Sequence, residues 1–91
     1  MKTSSAGSSL LQVDPNPFTK ATLVRHALPP DTHDARLRIA DMQDTPLREI
    51  PLDGSSDRVI LSSSGLEPGM YLCTLVINGK DAEKRRVILT K

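Results

Sequence analysis

The chain has 91 residues, enough for one hydrophobic core and too few for two. Its 37% apolar and 25% charged residues argue against a disordered polyelectrolyte and against a protein dissolved in a bilayer. Twelve Lys and Arg against eleven Asp and Glu leave a formal charge of +1, so no global field draws nucleic acid or anionic lipid.

Finer composition narrows the chemistry. Cys73 is the only cysteine, which removes an internal disulfide and a metal site of paired cysteines. Phe18 and Tyr71 are the only aromatics, too few for a platform that stacks bases or sugars. Charge is uneven: the stretch from Lys80 to Lys91 holds five basic and two acidic residues, a local +3, and the rest of the chain sums to −2. No window approaches 18 uninterrupted apolar residues, and the first nine lack the apolar stretch of a secretory signal. An exported protein would therefore need its inner-membrane address ahead of residue 1, and the chain is expected to be a piece of a longer precursor.

Residues 1–9 are rich in Ser, Gly and Ala, the composition of a flexible linker, and the domain boundary is placed near Ser9. Leu10, Leu11 and Val13 predict a short first strand, stopped by Asp14-Pro15-Asn16-Pro17, where two prolines forbid ladder donation. Ala21 to Leu28 alternates, with Val24, His26 and Leu28 on one face and Leu23, Arg25 and Ala27 on the other, so a second strand is expected before Pro29-Pro30. Ala35, Leu37 and Ile39 alternate with Arg36, Arg38 and Ala40, the clearest one-face-buried pattern in the chain.

Met42 to Thr45 then spaces a hairpin toward Leu47 and Ile50, with Asp44 tolerating positive φ. Asp53 to Ser56 is a turn, Arg58 to Ser62 a strand, and Pro68-Gly69 closes the polar interval after it. Met70 to Asn78 is the longest predicted strand, and Asn78-Gly79 is a strong hairpin signal. Arg85 to Thr90 is the last strand. No segment holds a helical apolar period with caps. Six or seven short antiparallel strands with turns about every ten residues predict an all-β chain, an immunoglobulin-like antiparallel β-sandwich; a small closed barrel is the other arrangement open to it.

Catalytic constellations are sparse. A Cys73 and His26 dyad lacks a third orienting group, and a buried thiol and a partly buried histidine are the plainer readings. A metal site at Asp31, His33 and Asp34 would crowd three ligands into one loop. No nucleophile elbow and no pair of working carboxylates stands out, so no enzyme activity, cofactor or metal is expected. Lys80, Lys84, Arg85, Arg86 and Lys91 form either a basic docking patch or a solvated edge strand whose charges discourage aggregation.

The ordered motifs resemble those of the C-terminal sorting domain of the type IX secretion system, the Por system of the Bacteroidetes, over residues 10 to 91. The likeness begins with an apolar strand running into Pro15-Asn16-Pro17-Phe18. Thr22 to Pro29 is similar to the family's T-x-I-x-Y-x-L-P strand, with Val24 for Ile and His26 for the aromatic. Ala35 to Asp41 is similar to V-x-L-x-I-Y-D, with Ala40 in the Tyr place, and Asp44 stands where Gly is usual. Ser64-Gly65-Leu66-Glu67-Pro68-Gly69-Met70-Tyr71 resembles S-G-L-x-x-G-x-Y, and Ile77 to Lys80 the following hairpin. Lys84-Arg85-Arg86-Val87-Ile88-Leu89-Thr90-Lys91 is similar to the basic-apolar-basic terminus.

What the resemblance implies is a signal. Asn16, Pro17, Gly65, Leu66, Gly69, Tyr71, Gly79, Lys84, Arg85, Arg86, Val87, Leu89 and Lys91 become the expected signal residues. The partners implied are an N-terminal cargo joined covalently, the outer-membrane translocon, and a sortase-like protease that removes the domain and joins the cargo to lipopolysaccharide. Scission is expected in the linker at Ser4, Ser5, Ala6, Gly7, Ser8 and Ser9, since a protease needs extended, unburied chain. The protein would pass through the periplasm to the outer membrane, the cell surface or the medium. The final strand is the candidate for exchange between two copies in a homodimer. The competing class is an immunoglobulin-like adhesion or accessory binding module using the loops at Pro29 to Asp34 and Asp53 to Asp57.

Overall fold

Alternating side chains between Pro, Gly and Asx breaks put a strand in nearly every interval of the chain. The structure, a computed structural model, describes residues 10–54 and 56–91; the predicted linker at residues 1–9 lies outside them. Seven strands follow in order: β1 (Leu11–Asp14), β2 (Ala21–His26), β3 (Ala35–Ala40), β4 (Pro46–Pro51), β5 (Arg58–Ser62), β6 (Gly69–Ile77) and β7 (Lys80–Leu89). They form two antiparallel sheets, β1-β2-β5 and β4-β3-β6-β7. This is an all-β, immunoglobulin-like sandwich. Here β4 extends the sheet of β3, whereas in constant-type domains the fourth strand lies beside the fifth.

The core is the layer between the sheets. Leu11, Val24 and Leu61 from the three-stranded sheet meet Leu37, Ile39, Tyr71, Cys73, Leu75, Val87 and Leu89 from the other, and Phe18 joins them from the bend after β1. Each burial follows the period of two: Leu37 and Ile39 face inward while Arg36 and Arg38 face out. Burying each Leu, Ile or Val is worth about 1.5–3 kcal/mol. Ile60 is the reverse case, 60% exposed between half-buried Val59 and buried Leu61.

Several boundaries differ from the sequence expectation. β2 ends at His26, two residues before Leu28. The longest strand is β7, with ten residues against nine in β6, and it begins at Lys80 where Arg85 was expected. Residues 80–86 carry no apolar alternation to announce a strand. They are extended because the turn at Asn78-Gly79, with φ of 52° and 81°, folds them straight back onto β6; paired positive φ values match the twist of a two-residue hairpin. Ala40 is buried although on the polar face of its strand, where it stands across from Leu72 of β6 and beside a register shift in the β3–β4 ladder. Asp44 takes the positive φ expected of it, 66°.

Side chains close the two open sides of the sandwich. On one, the Arg48 guanidinium of β4 donates to the carbonyls of Ser62, at 2.8 Å, which ends β5, and of Ser64 in the loop that follows. On the other, Glu83 and Arg85 of β7 form an ion pair of 2.7 Å. Glu83 Oε1 accepts the Leu10 N–H at 2.9 Å, and Arg85 Nε donates to the Leu11 carbonyl at 3.2 Å.

Candidate functional site

Residues expected to carry the signal at the two ends of the domain come together at β7. β7 is an edge strand of its sheet, so alternate backbone groups point away from β6 and would be left without partners. The bend after β1 supplies those partners. Asn16 Nδ2 donates to the Arg86 carbonyl at 2.9 Å, and the Ile88 N–H donates to Asn16 Oδ1 at 2.9 Å. One residue pair further on, the Phe18 N–H donates to the Ile88 carbonyl at 2.9 Å and the Thr90 N–H to the Phe18 carbonyl at 2.8 Å. A carboxamide presents one donor and one acceptor side by side, as a peptide group does. Asn16 therefore acts as one more residue of strand against β7, and Phe18 continues the pairing as a parallel bridge to Leu89.

The bend is built for this task by its own sequence. Pro15 and Pro17 flank Asn16, and the peptide bonds preceding both prolines are cis. Neither proline has an N–H to satisfy, so Asn16 sits between two residues with reduced demands on the ladder. Thr22 Oγ1 donates to the Pro15 carbonyl at 2.6 Å and ties the bend to β2. Phe18, only 3% exposed, anchors the far end in the core.

The middle motif forms the corner that leads into β6. The Leu66 N–H donates to the Ser63 carbonyl at 2.9 Å, closing a turn in which Gly65 has φ of 81°, a conformation that costs an L side chain about 1–2 kcal/mol. Tyr71, near the start of β6, buries its ring and donates its hydroxyl to the Glu67 carbonyl four residues upstream. This is the tyrosine corner of immunoglobulin-like sandwiches, in which one hydroxyl fixes the incoming loop to its strand. Gly69 opens β6, and Gly79 sits in the hairpin before β7.

The terminal cations do not form a single patch. Lys84 and Arg86 project from the outer face of the four-stranded sheet, with Lys84 Nζ 3.9 Å from Asp44. Arg85 alternates to the inner side, where it joins Glu83 against β1. Val87 and Leu89 share that side and are buried. Lys91 follows the strand and is exposed. The linker residues Ser4 to Ser9 lie outside the described residues.

The residues weighed for catalysis are placed otherwise. Cys73 is buried in β6, and burial pushes its thiol up to about 12, far from the thiolate that a nucleophile needs. His26 is 5% exposed and neither ring nitrogen has a hydrogen-bond partner among the described residues. Burial holds its pKa below the ordinary value, partly opposed by the nearby Asp57 carboxylate. His33 and Asp34 turn their backbone N–H groups onto Asn78 Oδ1, at 2.7 and 3.0 Å. Among the described residues no three His, Cys, Asp or Glu side chains converge as metal ligands do.

Sequence reasoning placed Asn16 among the signal residues without finding its partner. It missed Glu83 and Arg48 altogether, whose closing roles leave no local pattern. Compared with models of known protein families and with curated proteins, the chain matches none.

Proposed function

We propose that residues 10–91 are a C-terminal sorting domain that directs an attached cargo through the outer membrane by the type IX secretion system. In this reading the domain is a substrate of the machinery and performs no chemistry. Cargo precedes it in the chain, the translocon reads its folded form, and a sortase-like protease cuts in the linker at Ser4 to Ser9. The protein passes through the periplasm and ends at the cell surface or in the medium. Exchange of β7 between two copies would reproduce the same contacts in trans and give a homodimer.

One observation carries the reading. The opening motif around Asn16 and the terminal strand are some 70 residues apart in sequence, yet Asn16 and Phe18 hydrogen-bond along the edge of that strand. A signal read as a folded shape requires its last strand to be fixed, and here side chain and backbone fix it together. Gly65 and Tyr71 support the same unit by setting the corner from which β6, the neighbour of β7, departs.

The test is export of a periplasmic reporter carrying the chain at its C-terminus, in a bacterium that has the type IX machinery. The intact chain is expected to bring the reporter to the surface or the medium, and deletion from Val87 onward to trap it in the periplasm. Normal secretion of the truncated fusion refutes the proposal.

A further inference from the structure

Since Asn16 and Phe18 already occupy the edge of β7 from Arg86 to Thr90, a partner cannot add a strand there without displacing four hydrogen bonds. It must read side chains. On the outer face of the four-stranded sheet, Met70 stands directly across from Ile88 and Leu72 directly across from Arg86, with Ala40 on the other side of Leu72. Met70 is 40% exposed, and Leu72 and Ile88 are half-buried. An apolar area therefore crosses the N-terminal end of β6 and the C-terminal end of β7, on the face away from the core.

Charge says what fits it. Four cations project from this face. Arg36 lies 3.3 Å from Asp34 and 3.2 Å from Glu49, Arg38 lies 3.4 Å from Asp81, and Lys84 lies 3.9 Å from Asp44. Arg86 alone has no carboxylate within reach among the described residues. It is the cross-strand neighbour of Leu72 and stands two residues from Ile88, so the one uncompensated charge of the face borders its apolar area. Apolar side chains beside an unpaired guanidinium suit a protein surface in which a carboxylate is ringed by apolar groups: burial supplies attraction, and a bidentate pair to Arg86 fixes orientation.

We propose that Met70, Leu72, Arg86 and Ile88 form the docking face of the domain, and that its occupant is a carboxylate-bearing apolar surface on a protein of the export machinery. The proposal rests on the export reading above. It assigns recognition to the sheet face and leaves the edge of β7 to the internal clasp.

The test uses the reporter fusion with the whole chain and three variants: Arg86→Glu, the double change Met70→Ser with Ile88→Ser, and Arg86→Lys. Arg25→Glu, on the other sheet, is the control. Each variant is first shown to be folded by its amide NMR spectrum. Arg86→Glu and the double change are expected to lower the secreted reporter at least about tenfold, the factor set by 1.4 kcal/mol. Arg86→Lys, which keeps the charge but loses the fork, should lower secretion less than Arg86→Glu does, and the control should secrete as the parent does. Folded Arg86→Glu and double variants that are exported normally overturn the docking face and leave the signal reading standing. An intact fusion that stays in the periplasm, while an authenticated signal exports the same reporter, removes both. If light scattering finds the isolated chain dimeric, and the double change makes it monomeric without loss of export, the face joins two copies of this chain and the proposal fails.

Discussion

Replacing Asn16 by Ala removes the two hydrogen bonds by which its side chain holds the Arg86 carbonyl and the Ile88 N–H, both 2.9 Å long. A hydrogen bond in a folded protein contributes a net of about 0.5–1.5 kcal/mol. Both of these are exposed, so water can take over the freed groups and the lower half of that range applies: about 1–2 kcal/mol for the pair. For a domain of this size that lowers the midpoint of thermal unfolding by roughly 5–10 °C. The sharper readout is local. The Ile88 amide should exchange with solvent about 5–30-fold faster, while amides of the β3–β6 ladder change only as global stability does. Asn16→Asp separates the two bonds. It keeps an acceptor for the Ile88 N–H but turns a carboxylate oxygen toward the Arg86 carbonyl, so it should protect Ile88 better than Ala does without restoring stability. Unchanged exchange at Ile88 in Asn16→Ala, with an unshifted unfolding midpoint, would show that Phe18 alone holds β7 and that the clasp argument is wrong.

Tyr71→Phe deletes the hydroxyl that meets the Glu67 carbonyl and leaves the buried ring in place. It should cost about 1–1.5 kcal/mol in urea unfolding, with the slope unchanged, and a loss well below that would deny the corner a role in stability. His26 gives a pH dependence. Its folded pKa lies below its ordinary 6.5 because burial disfavours the charged ring, so the unfolded chain binds the proton more readily. Stability is then greatest above the unfolded value and falls as the pH drops from about 6.5 toward the folded one. His26→Leu should remove that part of the slope between pH 7.5 and 5; parallel losses in parent and variant would place the acid sensitivity elsewhere.

Local chemistry made much of this protein legible in one dimension. The alternation at Ala35 to Ala40 requires one face of a pleated strand to be buried, and β3 has those bounds. Asp44, Asn78 and Gly79 announced turns because each tolerates positive φ at modest cost, and all three have it. Tyr71 stood out as one of two aromatics and the close of the S-G-L-x-x-G-x-Y likeness, while its bond to the Glu67 carbonyl shows only in the folded corner.

What escaped the sequence are relations between distant segments. The first half of β7 shows only charge, since its extended form comes from the ladder with β6 and not from any pattern of its own. The hairpin expected at Met42 to Thr45 does pair β4 with β3, but the placing of β5 beside β2 could not be read, because short strands of both sheets alternate alike and only the packed pair of sheets distinguishes them. The same holds for the terminal strand. Arg85 looks like its neighbours Lys84 and Arg86 in sequence, but the pleat turns it to the other face, toward Glu83 and β1. Asn16 looks like a turn residue, and becomes the partner of Arg86 and Ile88 only when the two sheets stack. Side-chain periodicity is a property of a segment and is written in it; hydrogen-bond partners across the sandwich depend on where the whole chain has gone.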